Sequence, residues 1–184
     1  MLQLEMVRKA GPARTPVLCD ECVIEHYRGT EEERQDWVLI CKEGLLPPDA
    51  TVQAFTDTIV EREGLDPEKH LYFVIYKGKR VGTFAAFRQP DGTGYLHMVA
   101  LLPECRGLGI GTAMAHYAAG CFEDLKCDIS YLSTDDFRLS AVVTYVRAGF
   151  VPYIRIEERD ELIQRWNSVL NTLGISDLKY EYEA

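Results

Sequence analysis

Residues 103–114 read PECRGLGIGTAM, with Gly107, Gly109 and Gly111 spaced two apart behind Arg106. Glycines crowded in this way let a main chain come close to a ligand, and exposed amides at a helix start attract anions. The chemistry on offer is therefore phosphate binding, and three loop types compete for it. A P-loop ends in Gly-Lys-Ser/Thr, whereas this loop ends GIGTA without a lysine. A dinucleotide fingerprint counted from Gly107 and Gly109 needs a third glycine where Thr112 stands. Asp128 follows at a suitable distance, but at the start of its strand and not at the end where a ribose-binding acid belongs. What remains is R-x-x-G-x-G, made by Arg106, Gly109 and Gly111 after a strand-like run and before a helix-like one. Such a segment forms an anion nest, with the helix dipole favouring negative charge. A tight turn that needs small residues only for packing is the alternative at this point.

Other reactive side chains are less organised. Cys19 and Cys22 in CDEC have metal-ligand spacing, but no second pair exists and His26, His70, His97 and His116 are scattered. Structural zinc takes four ligands, so no metal is expected and the six cysteines read as free thiols. The 184-residue chain carries a formal net charge of −9, which argues against nucleic acid as its partner. No apolar run is long enough to span a membrane, and the first sixteen residues lack the apolar core of a secretory leader. The expectation is a single domain over residues 1–184, located in the cytoplasm.

The elements that must position these residues follow from periodicity. Thr30 and Glu33 form a capping box that opens a helix with Trp37, Ile40 and Cys41 on one stripe. Val52, Phe55 and Ile59 give a second stripe, stopped at Gly64. CVIEHY (22–27) has strand character. HLYFVIY (70–76), RVGTFAAFR (80–88) and GYLHMVALL (94–102) read as an antiparallel meander, with KGK and QPDGTG as its turns. After the glycine loop come a helix (TAMAHYAAGCFEDL), a strand (127–134), a helix (138–149), a strand (150–156) and a last helix (160–174). Interleaved strands and helices behind a meander predict a mixed α/β sheet.

With these elements in order, HMVALLPECRGLGIGTAM resembles the strand, phosphate loop and helix of the GNAT superfamily of acyl-CoA-dependent N-acetyltransferases. RLSAVVTYVRAGFVP is similar to that family's second signature, with Ala141, Tyr145, Gly149 and Phe150 at the expected spacing. The resemblance implies a mixed, mostly antiparallel central sheet of about six to seven strands with flanking helices and splayed central strands. It implies acetyl-CoA as cosubstrate, lying in the wedge between those strands. The backbone of Val99, Ala100 and Leu101 would bind the pantetheine arm, and the amides of Arg106, Gly107, Leu108, Gly109, Ile110, Gly111 and Thr112 would hold the pyrophosphate.

The same resemblance gives Tyr145 the role of acid toward the departing thiolate, since a phenol with a pKa of about 10 keeps its proton at neutral pH. Without it, Tyr145 is a tyrosine on the apolar face of its helix. Arg138 stands where the family often has asparagine, so an Asn-specific contact is lost and a guanidinium suited to phosphate takes its place. His97, on the strand entering the loop, is the candidate base, with an ordinary pKa of about 6.5; a satisfied strand histidine, with a base acting through water, is the alternative. Strict alternation puts His97 with Val99 and Met98 with Ala100. Glu25 and His26 are weaker candidates for the acceptor side. The expected activity is that of an acyltransferase, moving an acetyl group to an amine on a small molecule rather than a protein. A non-catalytic acyl-CoA-binding module on the same fold is the alternative. A homodimer is compatible with both, and no residue names the acceptor.

Overall fold

Two faces of one sheet are buried in this protein, and the alternating side chains of its strands supply both cores. The computed structural model describes residues 3–183. Strands β1 (Leu4–Lys9), β2 (Cys22–His26), β3 (Leu71–Tyr76), β4 (Lys79–Arg88), β5 (Gly94–Leu101), β6 (Ile129–Thr134), β7 (Val151–Ile154) and β8 (Glu181–Tyr182) form an eight-stranded sheet. Its order is β2-β3-β4-β5-β6-β1-β7-β8, antiparallel except at β5–β6 and β7–β8. The meander is the predicted one. The strand total exceeds the expected six to seven because the N-terminal stretch inserts between β6 and β7, and a two-residue strand is added at the C-terminal edge.

Phe73, Ala85 and Phe87 point to one face, where α1 (Glu31–Cys41) brings Trp37 and Ile40. Alternate residues Tyr72, Val74, Phe84 and Ala86 point to the other face. There α4 (Ile110–Asp124), α5 (Leu139–Arg147) and α6 (Arg159–Leu173) contribute Met114, Phe122, Val142 and Trp166. The capping box of α1 forms as its spacing predicts: Thr30 Oγ1 accepts from the Glu33 amide at 3.2 Å, and Glu33 Oε2 accepts from the Thr30 amide at 3.2 Å. The second apolar stripe starts as a short helix, α2 (Gln53–Phe55), and then widens into a π-helical turn over Thr56–Val60. A short helix, α3 (Pro67–His70), leads into β3.

Helix α4 is the crossover that two parallel neighbours require. Strands β5 and β6 pair only through Gly94 with Ser130 and Tyr95 with Tyr131, and then part. At this vertex Gly94 cannot be replaced without displacement, because a Cβ there would lie 2.6 Å from the Phe122 ring and 2.9 Å from Ser130 Cβ. No helix among the described residues is long and apolar enough to cross a membrane.

Crowding at the vertex yields a stability prediction. Gly94→Ala overpacks the junction of β5, β6 and α4, and is expected to cost about 1–3 kcal/mol. Phe122→Leu introduced with it should restore part of that loss. Denaturant unfolding of the two variants checks this, and a Gly94→Ala protein as stable as wild type would refute the tight vertex.

Candidate active site

The glycine loop is anchored at both ends and open between them. Cys105 closes a 3-10 turn at Pro103–Cys105 with 3% exposure, and Ile110 starts α4 at 1%. Arg106, Gly107, Leu108 and Gly109 between them are exposed. Gly107 and Gly109 have φ of 80° and 79°, and a Cβ on either would meet nothing within 4 Å. Packing therefore does not select these glycines; left-handed backbone and clear space in front of it do. No side chain caps α4, and its first intrahelical acceptor, the Gly109 carbonyl, serves Ala113. The amides of Ile110, Gly111 and Thr112 thus lack helical partners and face the same opening. This loop suits a pyrophosphate in charge and in room.

Beyond Tyr95 the edge of β5 that faces β6 has no strand partner. The Leu102 amide donates to Val81 on β4 at 2.8 Å. Alternation then turns the main chain of Ala100 toward β4 and that of Val99 and Leu101 toward the open wedge. Of the three residues expected to offer backbone to a cosubstrate, Val99 and Leu101 turn theirs to the wedge and Ala100 turns its own to β4. A bulge explains a second departure from simple alternation. Thr83 pairs with Ala100 and Ala85 with His97, so Phe84 stands opposite both Met98 and Val99, and Met98 takes φ of 51°. The extra residue shifts the faces: Val99 and Leu101 pack with the α4 layer, whereas Met98 and Ala100 join the α1 layer. His97 lies on the α1 side as well, with Nε2 3.4 Å from the Thr58 carbonyl of the π-helical turn. His97 and Val99, expected on one face, are on opposite ones.

Tyr145 comes from α5, 6% exposed, with its ring centroid 6.3 Å from that of Phe150. Burial pushes its phenol up to about 12, with the nearby Tyr95 hydroxyl adding to the rise and Arg138 opposing it. A phenol in this state keeps its proton throughout the neutral range. Thr134, at the end of β6 on the other lip of the wedge, keeps a buried hydroxyl with no hydrogen-bond partner among the described residues. An unpaired hydroxyl and an unpaired strand edge beside one opening fit a cosubstrate with amide groups along its arm. The Arg138 guanidinium is already engaged: Nε donates to Asp135 at 2.7 Å and Nη2 to the Gly44 carbonyl at 2.6 Å. It ties the end of β6 to the loop after α1.

On the α1 side the ring of His97 stacks on Tyr95 at 5.3 Å. The Arg62 guanidinium lies 5.1 Å from the centre of the same Tyr95 ring. Desolvation first, and then the positive charge of Arg62, lower the His97 pKa to about 4. Tyr95 also reaches Ser133 Oγ at 3.3 Å and faces Tyr131 at 4.8 Å between centroids. Tyr95, Tyr131, Ser133 and Arg62 belong to no motif of the sequence. Period-two spacing from His97 was a signal for Tyr95; nothing local marked Arg62, whose placement depends on the π-helical turn.

Other candidates lie elsewhere. Glu25 and His26 are on the edge strand β2, with β3 and β4 between them and β5. Glu25 pairs with Arg28 at 2.7 Å, and His26 packs on Tyr72 at 4.5 Å. Cys19 and Cys22 flank a turn in which the Cys22 amide donates to the Cys19 carbonyl at 3.2 Å. Among the described residues no group of three or more His, Cys, Asp or Glu is placed to hold a metal ion.

A strand wedge beside a glycine nest is the frame of this site, and residues 25–150 match the Acetyltransferase (GNAT) family. The chain belongs to that family. It is 28% identical over 134 residues to the aminoalkylphosphonate N-acetyltransferase of Salmonella typhimurium, covering 70% of this chain and 84% of that protein. A GCN5-related N-acetyltransferase from Sphaerobacter thermophilus superposes with a TM-score of 0.66 at 22% identity, over 81% of this chain. One from Kribbella flavida gives 0.57 at 19% identity, over 82%. The chain spans 47% and 54% of those two structures, which share its fold.

Two measurements follow from this geometry. Gly109→Ala puts an L-residue at positive φ, at about 1–2 kcal/mol of backbone strain, and narrows the nest; calorimetry should find CoA binding weakened at least tenfold. Unchanged affinity would remove the nest from the site. The second concerns His97, whose folded pKa lies below its unfolded value of about 6.5. Stability linked to it is complete above pH 6.5 and is lost as the pH falls toward 4. His97→Gln should flatten that acid limb in denaturant titrations at pH 7, 6 and 5, and an equally steep limb would contradict the shift.

Proposed function

We propose that this chain transfers an acetyl group from acetyl-CoA to the primary amine of a small molecule by direct transfer. The observation that carries this reading is the unpaired β5 edge, which ends in the open glycine nest with the Tyr145 phenol buried beside it. Acetyl-CoA would supply the activated acyl group as a thioester. The amides of residues 106–112 hold its pyrophosphate, and the main chain of Val99 and Leu101 binds the pantetheine amides as a neighbouring strand would. Tyr145 donates its proton to the departing sulfur. His97, neutral at pH 7, receives a proton from the attacking amine on the α1 side. Its depressed pKa makes it a weak base until the acceptor site is filled. Arg138 braces the rim through Asp135 and Gly44 instead of contacting the cosubstrate.

The acceptor side supports a small molecule, because His97 and its neighbours are only partly exposed beneath the π-helical turn. The acceptor in the name of the Salmonella relative makes an aminoalkylphosphonate a first candidate to supply. CoA release from acetyl-CoA in the presence of an amine panel tests the reading directly; tight CoA binding without release on any amine would favour the binding module instead. Within the reaction, Tyr145→Phe is expected to lower kcat about 100-fold while leaving acetyl-CoA affinity within about threefold. A variant with wild-type kcat at all pH values would remove the phenol from the chemistry.

A further inference from the structure

Three arginines are neutralised by the chain's own carboxylates. Arg80 meets Glu32, Glu33 and Asp36; Arg138 meets Asp135; Arg165 meets Asp136 and Glu161. Arg62, which is exposed, makes no ion pair among the described residues; neither do Arg88, opposite Gly94, and Arg106 in the glycine loop. The Arg62 guanidinium rests on the Tyr95 ring and approaches Gln89 Oε1 at 3.5 Å, a contact at the limit of a hydrogen bond. Further donors face the same place. Gln89 Nε2 donates to the Tyr131 hydroxyl at 2.6 Å, which leaves the tyrosine's own proton free to donate. Tyr95 and Ser133 share one hydrogen bond between two hydroxyls, so one of their protons is also spare.

We propose that Arg62, with the Tyr131 hydroxyl and the Tyr95–Ser133 pair, receives an anionic group of the acceptor, so that the substrate class is a small primary amine bearing a phosphonate, phosphate, sulfonate or carboxylate. This rests on the acetyl-transfer reading and names the acceptor of that same site. Distance supports it. Tyr95 and His97 are two residues apart on β5, a rise of about 7 Å, and the Tyr145 phenol is near enough to Tyr95 to feel its hydroxyl. His97 and Arg62 both border the Tyr95 ring, at 5.3 Å and 5.1 Å, so a short linker joins an amine at one to an anion at the other. A planar guanidinium with several donors is suited to a tetrahedral or planar oxyanion, and a tyrosine face beneath it keeps it in place. Binding would also act on the chemistry. The positive charge of Arg62 helps to hold the His97 ring neutral, and an anion docked on it relieves part of that field. A filled acceptor site therefore makes His97 a better proton acceptor than an empty one.

The test uses the full chain, acetyl-CoA, 2-aminoethylphosphonate and n-propylamine. Wild type should favour the phosphonate at least 100-fold in kcat/KM. In Arg62→Gln that preference should collapse at least 30-fold, with the loss falling on KM, and Arg62→Lys should recover part of it as a point charge. In parallel, NMR of the His97 imidazole is followed as methylphosphonate, which has no amine, is added to the CoA-loaded protein. A saturable shift in wild type that is absent in Arg62→Gln supports the site. Equal use of both amines, an unchanged preference in Arg62→Gln, or a methylphosphonate response that survives that substitution overturns it. If neither amine is acetylated, the transfer reading fails separately, and the methylphosphonate titration still decides whether Arg62 binds the anion.

Discussion

Everything in this site depends on two strands that begin as a pair and then separate. Polar main-chain groups inside a sheet need partners, and a β5 that loses β6 after Tyr95 leaves a row of them facing a gap. The gap persists because its vertex is rigid. Gly94 lets the Phe122 ring and Ser130 close in on it, while Tyr95 and Tyr131 pack beside it. From that point α4 must carry the chain across to β6, so its N-terminus stands beyond the end of β5. The nest, the open strand edge and the buried phenol are thus consequences of one topological feature. On the proposed reading, the guest that completes the sheet is the arm of the acyl donor.

The two faces of the sheet divide the work. Toward α4 and α5 lie the nest, the outward main chain of Val99 and Leu101, and Tyr145. Toward α1 and the π-helical turn lie His97, Tyr95 and Arg62. The bulge at Met98 allows this division, because it lets neighbouring residues of one strand serve both layers without the alternation that would send His97 and Val99 the same way. Electrostatics follow the same boundary. Burial keeps the Tyr145 phenol protonated on one side, and burial with a cation keeps the His97 ring neutral on the other. On the proposed reading, these are the protonation states from which a proton donor and a proton acceptor start.

Much of this was legible before any coordinates. The meander, the capping box at Thr30 and Glu33 and the glycine loop rest on local patterns: alternation, an S/T-x-x-E spacing and crowded glycines; Tyr145 stands out only through the family resemblance, since helical period alone makes it a core tyrosine. What stayed hidden depends on distant contacts. The LEMVRK segment becomes a central strand because residues 129–134 and 151–153 accept it on either side. The bulge places a methionine at positive φ, which no local preference favours. Arg138 reads from the sequence as suited to a phosphate; in the structure it meets Asp135 and a carbonyl 94 positions earlier in the chain, a contact no local pattern marks. Arg62 is one charge in a run of charges until the π-helical turn swings it over Tyr95.

The central claim, that the parted strands hold the acyl donor, is tested most directly by amide hydrogen exchange with and without acetyl-CoA. On the proposed reading, protection rises at the Val99 and Leu101 amides and across residues 106–112, while Ala100, already turned toward β4, changes little. Protection that leaves β5 and the glycine loop untouched, or that falls on the far edge of the sheet at β2, would contradict it.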